Sequence, residues 1–447
     1  MTPVTFAQAL KFWLKLGFIS FGGPAGQIAI MHRELVEQKR WISERRFLHA
    51  LNYCMLLPGP EAQQLATYIG WLMHRTWGGI MAGALFVLPS LFLLIALSWV
   101  YVVFGQVAWV AGLFYGIKPA VAAIVLQAVW RIGGRTLRRP SEVPLLWAIA
   151  LASFIAIAVL KIPFPWVVLA AALAGVLGGQ WAPTQFATGG HGEARENYGP
   201  ALIDDNTPVP AHARFSKARL AIVVIVGALL WLAPMGLLLA WLGREGALPQ
   251  MAWFFTKAAL LTFGGAYAVL PYVYQGAVEQ FQWLTGPQMI DGLALGETTP
   301  GPLIMVVAFV GFVGGWTRQV LGPELLFLGG GLAATVVTWF TFLPSFLFIL
   351  AGGPLVEATH GQIRFTAPLT AITAAVVGVI ASLALFFIAH IARGTGTTGT
   401  FGTQFDIAAL FLAGLAAVAL LRFKFGVIPV IAGCAVAGLA LRLAGWG

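Results

Sequence analysis

The stretch KFWLKLGFISFGGP, residues 11–24, is apolar enough to enter a bilayer, yet it contains two lysines and ends in a helix-breaking Gly-Gly-Pro. A charge such as that of Lys15 costs several kcal/mol in hydrocarbon, and a broken helix leaves backbone groups without partners. The segment therefore lies outside the membrane, or the charge and the break both have a use within it.

Composition favours the membrane. Of the 447 residues, 59% are hydrophobic and 9% are charged, whereas about 25% of the residues of a soluble domain are charged. Apolar runs such as 82–104 and 218–242 meet or exceed the roughly 20 residues that cross the hydrocarbon core. The sequence predicts an all-α, polytopic integral membrane protein. It begins with no short apolar region and small-residue cleavage site, so we expect no removable signal peptide.

The remaining composition argues against other classes of function. The net charge of +10 is expected to lie in cytoplasmic loops, not on a nucleic-acid-binding surface. The two cysteines and seven histidines show no metal-ligand spacing. We therefore expect no metal, no cofactor and no disulfide framework.

The opening motif occurs twice, because Phe21-Gly22-Gly23 returns 242 residues later as Phe263-Gly264-Gly265. Three further features that keep this register are Lys15 with Lys257, Trp41 with Trp283, and Pro58-Gly59-Pro60 with Pro300-Gly301-Pro302. Such agreement without a gap indicates a duplication, which is common in transporters. We predict an N-terminal transporter repeat at 1–181, a polar linker at 182–217, a connecting transmembrane helix at 218–242 and a C-terminal repeat at 243–447.

Each half is predicted to begin with two broken segments, one interrupted at FGG and one at PGP. Each could form a re-entrant hairpin that enters and leaves on one face of the membrane. Four full spans then follow in each half, at about 77–104, 107–130, 143–160 and 162–180, and at about 323–351, 366–392, 407–421 and 425–443.

Loop charges predict that the two halves are inverted. Between the FGG and PGP breaks, the first half carries five basic residues, namely Arg33, Lys39, Arg40, Arg45 and Arg46. The matching loop, 275–288, contains no lysine or arginine. Because basic loops stay in the cytoplasm, matched loops of unlike charge are expected on opposite faces. A different count of the breaks would give parallel halves.

The breaks predict a site for an oxyanion. Half-helix N-termini near the middle of a bilayer direct free N–H groups and positive dipole ends at an anion, and the two lysines add a cation from each half. The candidate binding residues are Lys15, Phe21, Gly22, Gly23, Asn52, Pro58, Gly59, Pro60, Lys257, Phe263, Gly264, Gly265, Thr299, Pro300, Gly301 and Pro302. The alternative is that glycine and proline only permit close helix packing while Lys15 extends to an interface.

Two carboxylates and three arginines complete the candidate set. Glu61 follows the first PGP directly and Glu297 precedes the second, and membrane carboxylates commonly carry protons or pair with cations. Both are candidates for coupling, although Glu61 could simply cap its half-helix. The arginines Arg40, Arg45 and Arg46 are expected to attract the anion to a cytoplasmic entrance.

Two long stretches identify a family resemblance. The segment FGGPAGQIAIMHRELVEQKRWISERRFLHALNYCMLLPGPEAQQLATYIGWLMHRTWGGIMAGALFVLPS resembles the N-terminal half of chromate transporters, in the chromate ion transporter superfamily. The second half agrees through FGGAYAVLPYV and LALGETTPGPLIMVVAFVGF. In this chain FGGP becomes FGGA and PGPE becomes PGPL in the second half, so the two halves are not equivalent.

The resemblance implies a long-chain, two-domain bacterial protein with inverted halves that exports chromate across the inner membrane, uses the proton motive force and confers chromate resistance. Sulfate is a close structural analogue, and membrane lipid is an expected partner; a homodimer is left open. The alternatives are an importer or exchanger of sulfate or another oxyanion, an uncoupled anion conductor, and a membrane enzyme acting on a lipid phosphate. The last needs a nucleophile or a metal cluster, which the sequence does not offer, so we expect no enzyme.

Overall fold

A computed structural model describes residues 4–21, 23–186, 198–208, 210–263, 265–358, 366–393 and 405–444. These residues form helices, with one isolated bridge between Ile42 and Ile203 and no strand longer than that within the described ranges. The prediction of an all-α fold is confirmed. Within the described ranges, six helices are long and apolar enough to cross a membrane, so the chain is a multi-pass membrane protein.

Seventeen α-helices are described. The first half contains α1 Phe6–Ile19, α2 Gly23–His32, α3 Glu44–Cys54, α4 Glu61–Phe104, α5 Ala108–Thr136, α6 Pro144–Ala158, α7 Phe164–Trp181 and the short α8 Pro183–Phe186. Helix α9, Lys217–Leu242, leads to α10 Ala247–Leu260, α11 Ala266–Tyr274, α12 Gly286–Thr298, α13 Val306–Thr317, α14 Leu326–Ala358, α15 Thr366–Arg393, α16 Ile407–Leu421 and α17 Val427–Leu443. Helices α6, α16 and α17 lie where spans are predicted but have only 15, 15 and 17 residues.

The duplication extends to details of the backbone. A π-helical turn occurs at Arg33–Gln38 and again at Gln275–Gln280, in the same 242-residue register. Ser43 and Thr285, also in this register, cap α3 and α12 by accepting hydrogen bonds from backbone amides in the first turn, where such donors have no helical partner. Local sequence therefore specifies the same irregular geometry twice.

The first half opens with two helical hairpins. The FGG hairpin pairs α1 with α2 and its π-helical turn, since Lys15 Nζ lies 3.3 Å from Glu34 Oε1 across it. The PGP hairpin consists of α3 and the first part of α4, which ends at a bend where Arg75 has φ 56°. The chain reverses at this bend, so that Gly70 before it packs against Gly78 after it. A Cβ atom added to Gly70 would lie 2.5 Å from the carbonyl oxygen of Gly78.

Both ends of the first PGP hairpin lie on one face, which we call the linker face. The Ser43 amide donates to Ile203 O at 3.0 Å, and His212 Nε2 lies 2.9 Å from Trp71 O. Ile203 and His212 belong to the described part of the linker, 198–208 and 210–216. The PGP hairpin is thus re-entrant: it starts and finishes at the linker.

The second half repeats this arrangement upside down. Its FGG hairpin is α10 with α11 and the second π-helical turn, and its PGP hairpin is α12 with α13. Arg318 Nη2 donates to Phe281 O at 2.7 Å, so both ends of this PGP hairpin also meet. They lie on the far face, because α9 has 26 residues and therefore carries the chain about 39 Å away from the linker. The halves are inverted.

The remaining helices interlock the two halves. Helix α5 crosses α17 of the other half at Gly116, where an added Cβ would lie 1.9 Å from the carbonyl oxygen of Cys434. Its counterpart α15 crosses α6 of the first half at Gly378, where the same atom would lie 1.9 Å from Ala150 O. Small residues at these crossings let the backbones approach closely. The crossings thus join the two halves through α5 and α15.

Candidate functional site

The tips of the four hairpins meet across the two halves. The Gly59 amide donates to Thr262 O at 2.8 Å, and the Gly301 amide donates to Ser20 O at 2.8 Å. Each PGP break is thus bonded to the residue just before the FGG break of the opposite half. We call this meeting point the junction. Since its hairpins enter from opposite faces, the junction lies between the linker face and the far face.

Glycine is required at both PGP breaks for two reasons. Gly59 and Gly301 have φ of 120° and 103°, which side chains rarely tolerate. Space is also lacking, because an added Cβ would lie 2.2 Å from Ser345 Oγ at Gly59 and 2.8 Å from Ser90 Cβ at Gly301. These two serines occupy the matching Leu-Pro-Ser segments of α4 and α14. The serines that pack against the two PGP glycines are therefore also duplicated.

Buried polar atoms without partners surround the junction. Within the described residues, these include Ser20 Oγ, Ser90 Oγ, Gln63 Oε1 and Gln64 Oε1. Gln64 Nε2 donates to Pro58 O at 2.8 Å, which identifies Oε1 as its free atom. An unsatisfied buried polar group costs about 1–3 kcal/mol. A ligand or water that bonds to these atoms would recover that cost.

Helix N-termini converge on the same place. Helices α2 and α11 begin at Gly23 and Ala266, immediately after the FGG breaks. Helix α4 begins at Glu61 and a 3₁₀ turn leading into α13 begins at Leu303, immediately after the PGP breaks. The positive dipole ends of four half-helices thus point toward the junction, an arrangement suited to an anion.

The two coupling candidates lie beside the tips. Glu297 is buried, with 6% of its surface exposed, and accepts a hydrogen bond from the Tyr267 hydroxyl. Glu61 occupies the first turn of α4. The guanidinium groups of Arg131 and Arg135, one turn apart on α5, attract Glu297 and Glu61 respectively. The positive charges at one end of α5 thus act on the carboxylates of both halves, which the sequence pattern does not indicate.

The two lysines lie on the hairpins but differ in their surroundings. The Lys15 side chain is 58% exposed and its charge is paired with Glu34. Lys257 Nζ lies 5.8 Å from the centre of the Trp253 ring, and the position that matches Glu34 is Gly276. Contact of either lysine with substrate remains a prediction. The structure shows that Lys15 has an acidic partner on its hairpin and that the matching position beside Lys257 is a glycine.

The other binding candidates divide by position. Gly23, Gly265, Pro60 and the second Pro-Gly-Pro are buried at the tips, as is Thr299, which donates to Gly296 O at 3.1 Å. Phe21, Phe263 and Pro58 are half-buried there, and Asn52 is half-buried on α3. Gly22 and Gly264 lie outside the described residues.

The three arginines predicted at an entrance lie on the linker face with different partners. Arg45 is exposed. Arg40 Nε donates to Glu37 O, and its guanidinium lies 5.5 Å from the centre of the Tyr198 ring. Arg46 Nη2 donates to Thr207 O, and its Nη1 lies 3.7 Å from Glu357 Oε2. A role in attracting anions remains a prediction for all three.

Two polar clusters join the halves on opposite sides of the junction. In the linker-side latch, Glu357 of α14 lies against Arg46 and accepts a hydrogen bond from the Tyr68 hydroxyl.

In the far-side latch, Asp291 of α12 lies 3.6 Å from Lys118 Nζ and accepts a hydrogen bond from the Tyr101 hydroxyl at 2.9 Å. The sequence indicates this latch only through the carboxylate of Asp291, which stands within an apolar segment. Its partners are set by tertiary contact.

Inverted halves, re-entrant hairpins and a buried polar junction define the class of the protein as a membrane transporter built from an inverted repeat. The family model named Chromate transporter matches residues 7–176 and 249–439, one segment in each half. The chain belongs to the chromate transporter family.

Curated proteins that are similar to this chain support the same family. The chain is 31% identical over 374 residues to the chromate transport protein of Cupriavidus metallidurans, covering 83% of this chain and 80% of that one. It is 34% identical over 379 residues to the chromate transport protein of Pseudomonas aeruginosa, covering 84% and 79%. An uncharacterized transporter of Methanocaldococcus jannaschii is 22% identical over 82% of this chain and 80% of its own. No solved structure matches the chain.

Proposed function

We propose that the protein is a secondary active exporter that carries chromate out of a bacterial cell across the inner membrane, driven by the proton motive force, and so confers chromate resistance. The observation that carries the proposal is the junction, where reciprocal Gly59–Thr262 and Gly301–Ser20 hydrogen bonds gather four helix N-termini between the linker face and the far face. The substrate is inferred from the relatives of Cupriavidus metallidurans and Pseudomonas aeruginosa, which are both chromate transport proteins.

The junction provides groups that suit a tetrahedral oxyanion. Helix N-termini favour the negative charge, and the hydroxyls of Ser20 and Ser90, unpartnered in the described structure, can donate to its oxygens. Amide oxygens of Gln63 and Gln64 can accept hydrogen bonds from a protonated oxygen of the anion or from a bound water. Desolvation strengthens each of these bonds.

Alternating access follows from the two latches. Each latch joins the halves on one side of the junction, so opening one while the other stays closed would expose the site to a single face. The tip glycines and Thr299 are buried, which fits an occluded state with both latches closed. The anion would enter at the linker face, where Arg40, Arg45 and Arg46 supply positive charge.

Coupling to protons is assigned to Glu61 and Glu297. A carboxylate beside a helix N-terminus competes with an anionic substrate for the same positive field. The affinity of the junction for the anion therefore depends on whether Glu61 carries a proton. The positive charges of Arg131 and Arg135 act on Glu297 and Glu61 respectively, so both carboxylates respond to the same end of α5.

Transport into everted vesicles tests the proposal. Labelled chromate or labelled sulfate is presented outside, a proton gradient or a potential is imposed, and uptake is compared between wild type and the Glu61→Gln and Glu297→Gln variants. Gradient-dependent uptake of chromate that both variants lose is expected. Uptake that ignores the gradient would indicate an uncoupled conductor, and accumulation of sulfate without chromate would indicate a sulfate transporter.

A further inference from the structure

A cleft of about 710 Å³ runs between α4, α9 and α14. This volume lies within the roughly 300–1,000 Å³ typical of ligand pockets. Its walls are apolar, with Leu88, Val226 and Leu347 representing the three helices, whereas its end at the linker face is formed by Arg75 and Arg219. The cleft thus has one cationic end and one hydrocarbon-like end.

The cationic end has no acidic residue among the described residues that line the cleft. Arg219 Nη1 donates to the carbonyl oxygens of Ala211 and His212 at 3.2 and 2.6 Å, which fixes the guanidinium without neutralising it. The pKa of His212 is lowered by burial, and the charges of Arg75 and Arg219 lower it further. The end of the cleft is therefore a region of positive potential.

The length of the cleft matches one leaflet of a bilayer. Along α9 its lining extends from Arg219 to Leu230, which corresponds to about 16 Å of helix and to about half of a 30 Å hydrocarbon core. Thr335 and Thr338, which line its deeper part, donate to carbonyl oxygens of their own helix at 2.8 Å. The deep wall is thus left effectively apolar.

We propose that this cleft binds one anionic phospholipid, with its phosphate at Arg75 and Arg219 and an acyl chain along α9 and α14. The cationic end accounts for the negative headgroup, and the one-leaflet depth accounts for the chain. Because α4 and α14 belong to different halves, the bound lipid contacts both. The site is independent of the substrate and does not rest on the proposed direction of transport.

The test uses the purified full-length protein, stripped of lipid in detergent and titrated with phosphatidylglycerol or phosphatidylcholine of identical acyl chains. Native mass spectrometry measures the bound lipid. Phosphatidylglycerol is expected to bind at least about ten-fold more tightly, and Arg219→Gln should reduce this preference about five-fold, the effect of one basic residue near a membrane surface. Arg219→Lys, which retains the charge, should retain most of the preference.

Arg244→Gln is the matched control, because Arg244 follows the other end of α9 and is exposed. It should leave the lipid preference unchanged. Equal binding of the two lipids, or equal losses in Arg219→Gln and Arg244→Gln, would overturn the proposal. Full competition by inorganic phosphate would also overturn it, since the cationic end would then bind a free anion.

Discussion

The Gly59 amide donates a 2.8 Å hydrogen bond to Thr262 O, and a second bond of equal length joins Gly301 to Ser20. The donors are 242 residues apart and so are the acceptors, so the pair of bonds obeys the symmetry of the duplication. Each half therefore depends on the other to satisfy its own broken backbone. A single half has no partner for its tips.

The tip glycines are expected to tolerate no side chain. Gly59→Ala and Gly301→Ala should each destabilise the protein by at least about 1–2 kcal/mol, the usual strain of an L residue in this backbone region, with added cost from Ser345 and Ser90. Thermal unfolding in detergent measures the change, and transport should fall with it. Gly331→Ala is the control, since nothing lies within 4 Å of its added Cβ. A tip variant as stable as this control would contradict the prediction.

The latches are expected to act on opposite faces. Glu357→Gln should open the linker side, because it removes the counter-charge of Arg46, whose side chain is only 12% exposed. Asp291→Asn should open the far side, where Lys118 is left unpaired. A Ser345→Cys reporter, with Cys54 and Cys434 replaced by serine, would then react with an impermeant thiol reagent from one face in each variant.

Glu324→Gln, at an exposed position on the turn before α14, should leave the labelling unchanged. If both latch variants are labelled from the same face, the assignment of the latches to opposite faces is wrong.

The two lysines should differ in their effect on transport. Lys257→Ala is expected to reduce chromate uptake more than Lys15→Ala, because the Lys15 charge is already paired with Glu34 at 3.3 Å. Glu34→Gln should free the Lys15 charge and raise the apparent affinity for the anion. Initial uptake rates over a range of chromate concentrations measure these effects. Normal transport in the double lysine variant would remove both residues from the site.

Docking of the linker is expected to weaken as the pH falls. Burial lowers the pKa of His212, and Arg75 and Arg219 lower it further, so the unfolded state binds the proton more readily than the native state. The contribution of this histidine to stability is therefore present above its unfolded pKa of about 6.5 and is lost as the pH falls below that value through the lowered pKa of the native state.

Hydrogen exchange of the described linker residues between pH 7.5 and 5.5 should reveal faster opening at the lower pH. His212→Gln keeps a donor for Trp71 O and should remove this dependence. His390→Gln, which alters a histidine on α15 away from the linker, should retain it.

Much of the fold could be predicted because its signals are local. Hydropathy located the long spans of α5, α7, α14 and α15 within several residues, since a helix that crosses the hydrocarbon core needs a continuous run of apolar residues. The inverted arrangement was also predictable, because the basic residues between the breaks occur in one half only.

Particular residues of the candidate site were less predictable. The glycines of the PGP breaks were identified, since a Pro-Gly-Pro that recurs in register interrupts an apolar helix at the same place in each half. Ser90 and Ser345 were missed, because a serine in a transmembrane helix commonly bonds to its own backbone. Lys15 was identified as a cation near a break, but its partner Glu34 became evident only once α1 folded against the following π-helical turn.

By itself the sequence determined that this is a duplicated, inverted, helical membrane protein whose helices break at FGG and PGP, because hydropathy, loop charge and glycine or proline act over a few residues. Only the tertiary structure decided that each break meets its counterpart in the opposite half. It also decided that Tyr68 and Glu357, 289 residues apart, close one latch. The physical reason is that such contacts depend on how inverted hairpins pack through the membrane, and no local pattern records which tips then meet.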